Sequence, residues 1–309
     1  MGFSLHYVQI LAKDLPPFDR RKKLDVLTIG NQDCYFSYNE LIQFLKKQKI
    51  QYQDCKKIIL SEGFNFTNDK RSFTNFVHQK TMFECLGFDA NNVFSLDYSD
   101  YENANILHDL NIPIKNHNKK FSVIIDSGSI EHIFSVNQAI KNLIYLNKPN
   151  GLIIHLSPIC MINHGYYNFN HELFEDVYSL NNYKIINSQY IRWKNYRGVR
   201  KPKYYELYLN KNYFFLENAN IFSSIYYGIF KNNKNKVQFK IPNQGYYNSI
   251  WNPKNDISGR NKKLDLNKYL RNFFFTVYKF SPEIFLFFYE YLYKLVINKK
   301  NLKKIKIRY

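Results

Sequence analysis

The sequence predicts an α/β fold, an open and mostly parallel sheet with helices on both faces, followed by a C-terminal helical extension. Short apolar runs alternate with helical patterns along the first two thirds of the chain. Three of those runs, VFSLDYSDYENA, ANILHDLNIP and FSVIIDSGSIEHI, pass from apolar residues into an acid or a small polar residue. A Lys148-Pro149-Asn150-Gly151 turn then leads into a further run, LIIHLSP. Each such run reads as a buried strand delivering a functional group at its C-terminal edge, where open α/β sheets hold their ligands.

Residues 1–20 read as a short lead, and residues 21–231 as the main domain. Leu24–Ile29 is the first strand. Ser37 to Lys47 carries Leu41, Ile42, Phe44 and Leu45 at helical spacing behind a serine suited to cap the helix. From Ile50 to Asn68 the pattern breaks, as in a strand with a lid-like loop. Phe73–Leu86 is expected as a helix ended by Gly87 and feeding the second strand, Val93–Asp97. The run before Asp109 is the third strand and the run ending at Asp126 the fourth. Val136 to Leu146 is a helix stopped by the Lys-Pro-Asn-Gly turn, and Leu152–Leu156 is the fifth strand. Glu172–Leu180 is a short helix. Tyr183–Trp193 and Ile221–Phe230 form the closing antiparallel pair, separated by a basic insertion from Lys194 to Asn220. Residues 232–263 are an irregular linker segment. Residues 264–309 are an aromatic helical extension with a basic tail.

Asp97 stands where a carboxylate can accept both hydroxyls of a ribose, and Asp109, one strand later, where an acid can read an adenine edge. Between Phe121 and Phe174 lie IIDSGSIEHIFSVNQAIKNLIYLNKPNGLIIHLSP and NHGYYNFNHELF. On these motifs the chain, from about Leu24 to Lys231, resembles the class I S-adenosylmethionine-dependent methyltransferases. The motifs are most similar to methyltransferase-like proteins often associated with bacterial surface-sugar metabolism. The resemblance implies a Rossmann-like seven-stranded methyltransferase sheet with S-adenosyl-L-methionine as cofactor. It implies cofactor contacts at Gly30, Asn31, Gln32, Asp97, Asp109, Leu110, Asp126 and Ser127. The first loop departs from the family pattern: Thr28 stands in the place of an acid, and Gly30 is a single glycine followed by Asn31, Gln32, Asp33 and Cys34. Glycines would let backbone approach the cofactor. A methyltransferase-like scaffold without turnover therefore stands beside the enzyme as an alternative.

Methyl transfer from a sulfonium is an in-line displacement, in which the protein aligns nucleophile and methyl group and removes a proton from a hydroxyl acceptor. His164, on the loop after the fifth strand, is the first candidate base because imidazole titrates near neutral pH. His132, in the Glu-His pair that many family members carry after the fourth strand, is the second. Tyr166, Tyr167 and His171 are expected to line the pocket of a small or saccharide-linked acceptor, methylated at oxygen. No metal is expected. Asp126 lacks companion ligands at recognisable spacing, and Cys160, His164 and His171 match no zinc pattern.

The 309-residue chain has a formal net charge of +19, which would attract a polyanion. Lysine, asparagine, isoleucine, tyrosine and phenylalanine are all abundant while arginine is scarce, the composition that an A/T-rich genome produces. Arginine is the residue suited to bidentate phosphate and base contacts. No N/D-P-P-Y/F-type motif follows the fourth strand, where DSGS stands. Nucleic-acid methylation is accordingly the third reading. The four cysteines are dispersed singly and read as reduced thiols. Neither a signal peptide nor an apolar stretch of membrane-spanning length is apparent, so a cytoplasmic location is expected. The crowded apolar helix Glu283 to Ile297 must be buried against its own domain, a second subunit as in a homodimer, or an anionic inner-membrane face that the basic tail would contact.

Overall fold

The computed structural model describes residues 2–61, 75–100, 102–161, 163–194, 204–209, 224–233, 239–244 and 302–306. In chain order the helices are α1 (Leu5–Asp14), α2 (Phe18–Arg21), α3 (Tyr38–Gln48), α4 (Gln79–Cys85), α5 (Val136–Leu146) and α6 (His171–Leu180). The strands are β1 (Val26–Ile29), β2 (Asp33–Ser37), β3 (Phe76–His78), β4 (Val93–Asp97), β5 (Ile106–Leu107), β6 (Phe121–Ser127), β7 (Asn147–Pro158), β8 (Tyr183–Lys194), β9 (Tyr204–Leu209), β10 (Ser224–Asn232) and β11 (Leu302–Lys306).

Seven strands make the expected Rossmann-like sheet in the order β5-β4-β1-β6-β7-β10-β8. The pairings from β5 through β7 are parallel, whereas β10 runs antiparallel to both of its neighbours. Two further strands, β9 and β11, extend the edge beyond β8. Ile29 pairs with Leu96 on one side and Asp126 on the other, so β1, β4 and β6 finish level with one another. After β1 the chain builds one half of the sheet, then crosses to the other side through β6. A ligand crevice therefore belongs at the C-terminal ends of these strands.

Strand periodicity divides the core into two layers. Val26, Val123, Ile125 and Ile154 face the layer that includes Phe3, Leu11, Phe44 and Phe83. Leu27, Ile124 and Ile153 face the layer that includes Ile140, Leu143, Phe174 and Tyr178. Helix α3 begins where its sequence signal lies: the Ser37 hydroxyl accepts the Glu40 N–H, and the Glu40 carboxylate accepts the Ser37 N–H.

Several expectations change. The lead is part of the core, since α1 buries Tyr7, Val8, Ile10 and Leu11, and the Arg21 guanidinium donates to the carbonyls of Pro16, Ala12 and Leu86. The helix expected from Phe73 starts only at Gln79. Phe76–His78 pair instead with β2, and the His78 ring accepts the Lys80 N–H as the helix cap. The fifth strand begins before the Lys-Pro-Asn-Gly turn, which becomes an irregularity within β7 with Asn150 at φ 61°. Residues 302–306 of the basic tail form a strand paired with β9. The lid-like loop at 62–68, the aromatic helix from 264 to 297 and most of the 194–220 insertion lie outside the described residues.

Candidate functional site

A cavity of about 450 Å³ opens at the C-terminal ends of β1, β4 and β6. Its floor is the turn after β1. Gly30 has φ +77°, and its N–H donates to the Leu96 carbonyl at 2.7 Å. A Cβ at Gly30 would stand 3.2 Å from the Gln32 amide nitrogen, 3.4 Å from the Ser129 hydroxyl and 3.6 Å from an Asp97 carboxylate oxygen. Only glycine combines this conformation with so close an approach.

The rest of the loop explains its poverty in glycine. Phe3 donates its N–H to the Asp33 carbonyl, and its own carbonyl accepts the Tyr35 N–H, so the N-terminal segment pins β2 against the main domain. The chain therefore leaves Gly30 as a strand, and α3 starts only at Tyr38. Gln32 is buried and folds back over the turn, its amide donating to the Ile29 carbonyl and the Ser129 hydroxyl. The Asn31 amide donates to the Glu102 carbonyl at 2.6 Å and approaches the His78 ring at 3.0 Å. Thr28, which replaces the usual acid, is fully buried and its hydroxyl is directed at the Phe94 carbonyl.

Of the predicted cofactor residues, Gly30, Asn31, Gln32, Asp97, Asp109 and Leu110 all line this cavity. Asp97 accepts the Tyr98 N–H with one oxygen. Asp109 accepts both the backbone and side-chain N–H groups of Asn111, the local turn contact that short acids make. Asp33 and Glu102 join Asp97 and Asp109 there. Among the described residues, the wall thus carries four carboxyl groups and no lysine or arginine. Burial, then the neighbouring Asp33 and Asp97, push the Glu102 carboxyl up to about 7.

Asp126 and Ser127, expected at the cofactor, lie instead beneath the cavity, fully buried and outside its lining. One Asp126 oxygen accepts the N–H groups of Ser129 and Ile130, and the other meets His155 Nδ1 at 2.8 Å. The acid is spent on fixing the loop after β6.

That loop presents Glu131 and His132 in a single 3-10 turn. His132 reaches the cavity wall, while Glu131 is fully buried. The loop after β7 lies across it: the Tyr166 N–H donates to the Glu131 carbonyl at 2.7 Å, and His164 Nε2 stands 3.6 Å from a Glu131 carboxylate oxygen. The rings of His132 and His164 meet edge to face, with centroids 4.7 Å apart. Burial lowers the pKa of both imidazoles, and that of His132 is lowered further by His164. Burial and then Asp126 push the Glu131 carboxyl up to about 8. The two candidate bases are thus brought together, although only His132 lines the cavity.

Of the predicted acceptor residues, Tyr166 and Tyr167 occupy the same loop, and neither they nor His171 line the cavity. Tyr166 is 68% exposed and packs edge to face with Phe134, itself 73% exposed. The Tyr167 hydroxyl donates to the Phe134 carbonyl, whereas His171 sits at the start of α6 with Nδ1 2.6 Å from the Tyr190 hydroxyl. Phe134 had no sequence signal beyond its place near the Glu-His pair.

No protein-family model matches the sequence, and no curated protein matches it. Solved structures do. TehB from Haemophilus influenzae is 16% identical with a TM-score of 0.30, the match covering 48% of this chain and 51% of that one. The CurJ carbon methyltransferase is 9% identical with a TM-score of 0.33, covering 74% and 54%. An S-adenosylmethionine-dependent methyltransferase from Clostridium acetobutylicum is 11% identical with a TM-score of 0.26, covering 64% and 93%. The match thus spans about half the length of TehB and of CurJ. Strand order and register define the fold independently of these likenesses: it is a Rossmann-like α/β sheet in which β10 runs antiparallel between β7 and β8.

Proposed function

We propose that the cavity binds S-adenosylmethionine and that the chain transfers its methyl group to the hydroxyl of a small or saccharide-linked acceptor. The observation that carries this reading is the acidic wall of Asp33, Asp97, Glu102 and Asp109 in a chain of net charge +19. A nucleotide bearing phosphates would meet like charge there, with no lysine or arginine among the described lining residues to offset it. A nucleoside that carries a sulfonium and an ammonium, and no phosphate, suits the wall in charge. It also offers ribose hydroxyls that carboxylates can accept. The same wall opposes a polyanionic acceptor entering the cavity, which argues against the nucleic-acid reading.

In the proposed reaction the acceptor oxygen attacks the methyl carbon, the carbon–sulfur bond breaks and sulfur keeps the electron pair. The acceptor proton passes to an imidazole of the His132–His164 pair. Both are held neutral at neutral pH by burial and so are ready to receive it. The exposed faces of Phe134 and Tyr166 beside the pair, and of Tyr98 on the cavity wall, support an acceptor with an apolar ring face, as a sugar has.

A second reading, a methyltransferase-like scaffold that has lost cofactor binding and turnover, is favoured by the Gln32 side chain folded over Gly30. Calorimetric titration of the full chain with S-adenosylmethionine, ATP and NAD tests the binding step. Saturable binding of the first alone is expected of the enzyme, and its absence removes that reading in favour of the scaffold. Release of S-adenosylhomocysteine with saccharide acceptors then tests turnover and the acceptor class.

A further inference from the structure

Glu131 has both carboxylate oxygens buried without a hydrogen-bond partner, and His164 Nε2 is likewise unpartnered. A buried carboxyl group left without a partner is costly in either protonation state, so it is retained where something satisfies it. Among the described residues, His164 is the group within ion-pair distance of it. One donor atom from each of Glu131, His132 and His164 can be chosen so that all lie within 4.8 Å of one another.

We propose that Glu131, His132 and His164 form a binding site for a divalent first-row transition cation of the Zn²⁺, Co²⁺ or Fe²⁺ class. Two neutral imidazoles and a carboxylate suit those ions, whereas Mg²⁺ and Ca²⁺ favour all-oxygen sets. Ligand atoms about 2.0–2.2 Å from a tetrahedral Zn²⁺ lie roughly 3.3–3.6 Å apart, so the 3.6 Å between Glu131 and His164 needs little movement. The site is built by two fixed loops. Asp126 holds the amides of Ser129 and Ile130 just before the Glu-His pair. Gly165, at φ +74°, lets the second loop settle on Glu131, where a Cβ would stand 2.8 Å from the Glu131 carbonyl oxygen. Three protein ligands leave coordination positions open, and His132 puts the cation beside the cavity wall. A cation there would lower the pKa of a coordinated hydroxyl, the proton step otherwise given to the imidazoles. Cation binding stands whether or not the cavity takes S-adenosylmethionine.

The test is Co²⁺ titration of the untagged full chain after chelator treatment, followed by visible absorption and by Zn²⁺ competition. One Co²⁺ per chain is expected, with ligand-field bands, no thiolate charge-transfer band, displacement by Zn²⁺ and no displacement by Mg²⁺. Glu131→Gln and His164→Ala should each weaken binding by at least the roughly 10–100-fold that even indirect supporting residues contribute. His164 is 35% exposed on a loop, so His164→Ala keeps the fold even if the buried Glu131 variant does not. The proposal is overturned if the folded chain takes up no Co²⁺ or if His164→Ala binds as tightly as the parent. A thiolate band would also overturn it, because it would assign the ion to Cys55 and Cys85, whose sulfurs lie 3.0 Å apart.

Discussion

His155 Nδ1 lies 2.8 Å from Asp126 Oδ2, both side chains fully buried, and this contact links the central strand β7 to the loop that carries Glu131 and His132. A carboxylate only accepts, so Nδ1 carries the proton, and Nε2 lies 2.7 Å from the Tyr178 hydroxyl. Asp126→Ala would leave His155 and two loop amides without their acceptor. A loss of about 2–4 kcal/mol is expected in denaturant unfolding, the scale of several broken charge-assisted hydrogen bonds. A loss below 1 kcal/mol would show that water or a neighbour takes the acid's place.

Asp97 tests the ribose assignment. Asp97→Ala should weaken S-adenosylmethionine binding by about 1.5–3 kcal/mol, the usual scale for hydrogen bonds to a charged group. Calorimetry on Asp97→Ala and Asp100→Ala decides the carboxylate. If only the second variant binds poorly, the contact belongs to Asp100, which the cavity lining does not include.

The proton step has a pH signature. His164→Ala should lower turnover by roughly a hundred-fold with little change in cofactor affinity. Both imidazoles are held below the ordinary histidine value. The parent's rate should therefore rise with pH below that value and be level at neutral pH. A rate still rising steeply above pH 7 would exclude these groups as the titrating base.

The helices α3, α5 and α6 were legible because each carries its own signal, a cap or a sustained apolar period. The β2–β3 pair was not, because Asp33 meets His78 across more than forty residues and neither strand has a turn to announce it. The same distinction divides the site. Gly30, Asp97 and Asp109 sit at strand ends and could be found locally, whereas Glu131 and His164 meet only because Gly165 allows two loops to touch. Asp126 misled because a strand-end acid looks the same whether it faces a ligand or the amides beneath it. Its buried partner His155 is on a strand whose apolar pattern gives no hint of the contact.

The last prediction concerns acid stability. His6 lies in α1, 3% exposed, and burial lowers its pKa to about 3 from 6.5. Above pH 6.5 it is neutral in both the folded and unfolded chain and contributes no pH dependence. Below 6.5 the unfolded chain takes up a proton that the folded chain refuses, so stability falls as pH drops toward 3, by up to about 1.4 kcal/mol per pH unit. Burial lowers the pKa of the less buried His78 to about 4, with the same sign, while Glu102 and Glu131, raised to about 7 and 8, oppose it between their folded values and about 4.5. The parent's own profile therefore mixes both signs, and the informative quantity is the difference from His6→Gln. That difference should be constant above pH 6.5 and shift progressively in the variant's favour below it, measured by urea unfolding at successive pH values. Parallel profiles for parent and variant down to pH 4.5 would mean that His6 becomes protonated in the folded state, with α1 loosening from the core to admit the charge.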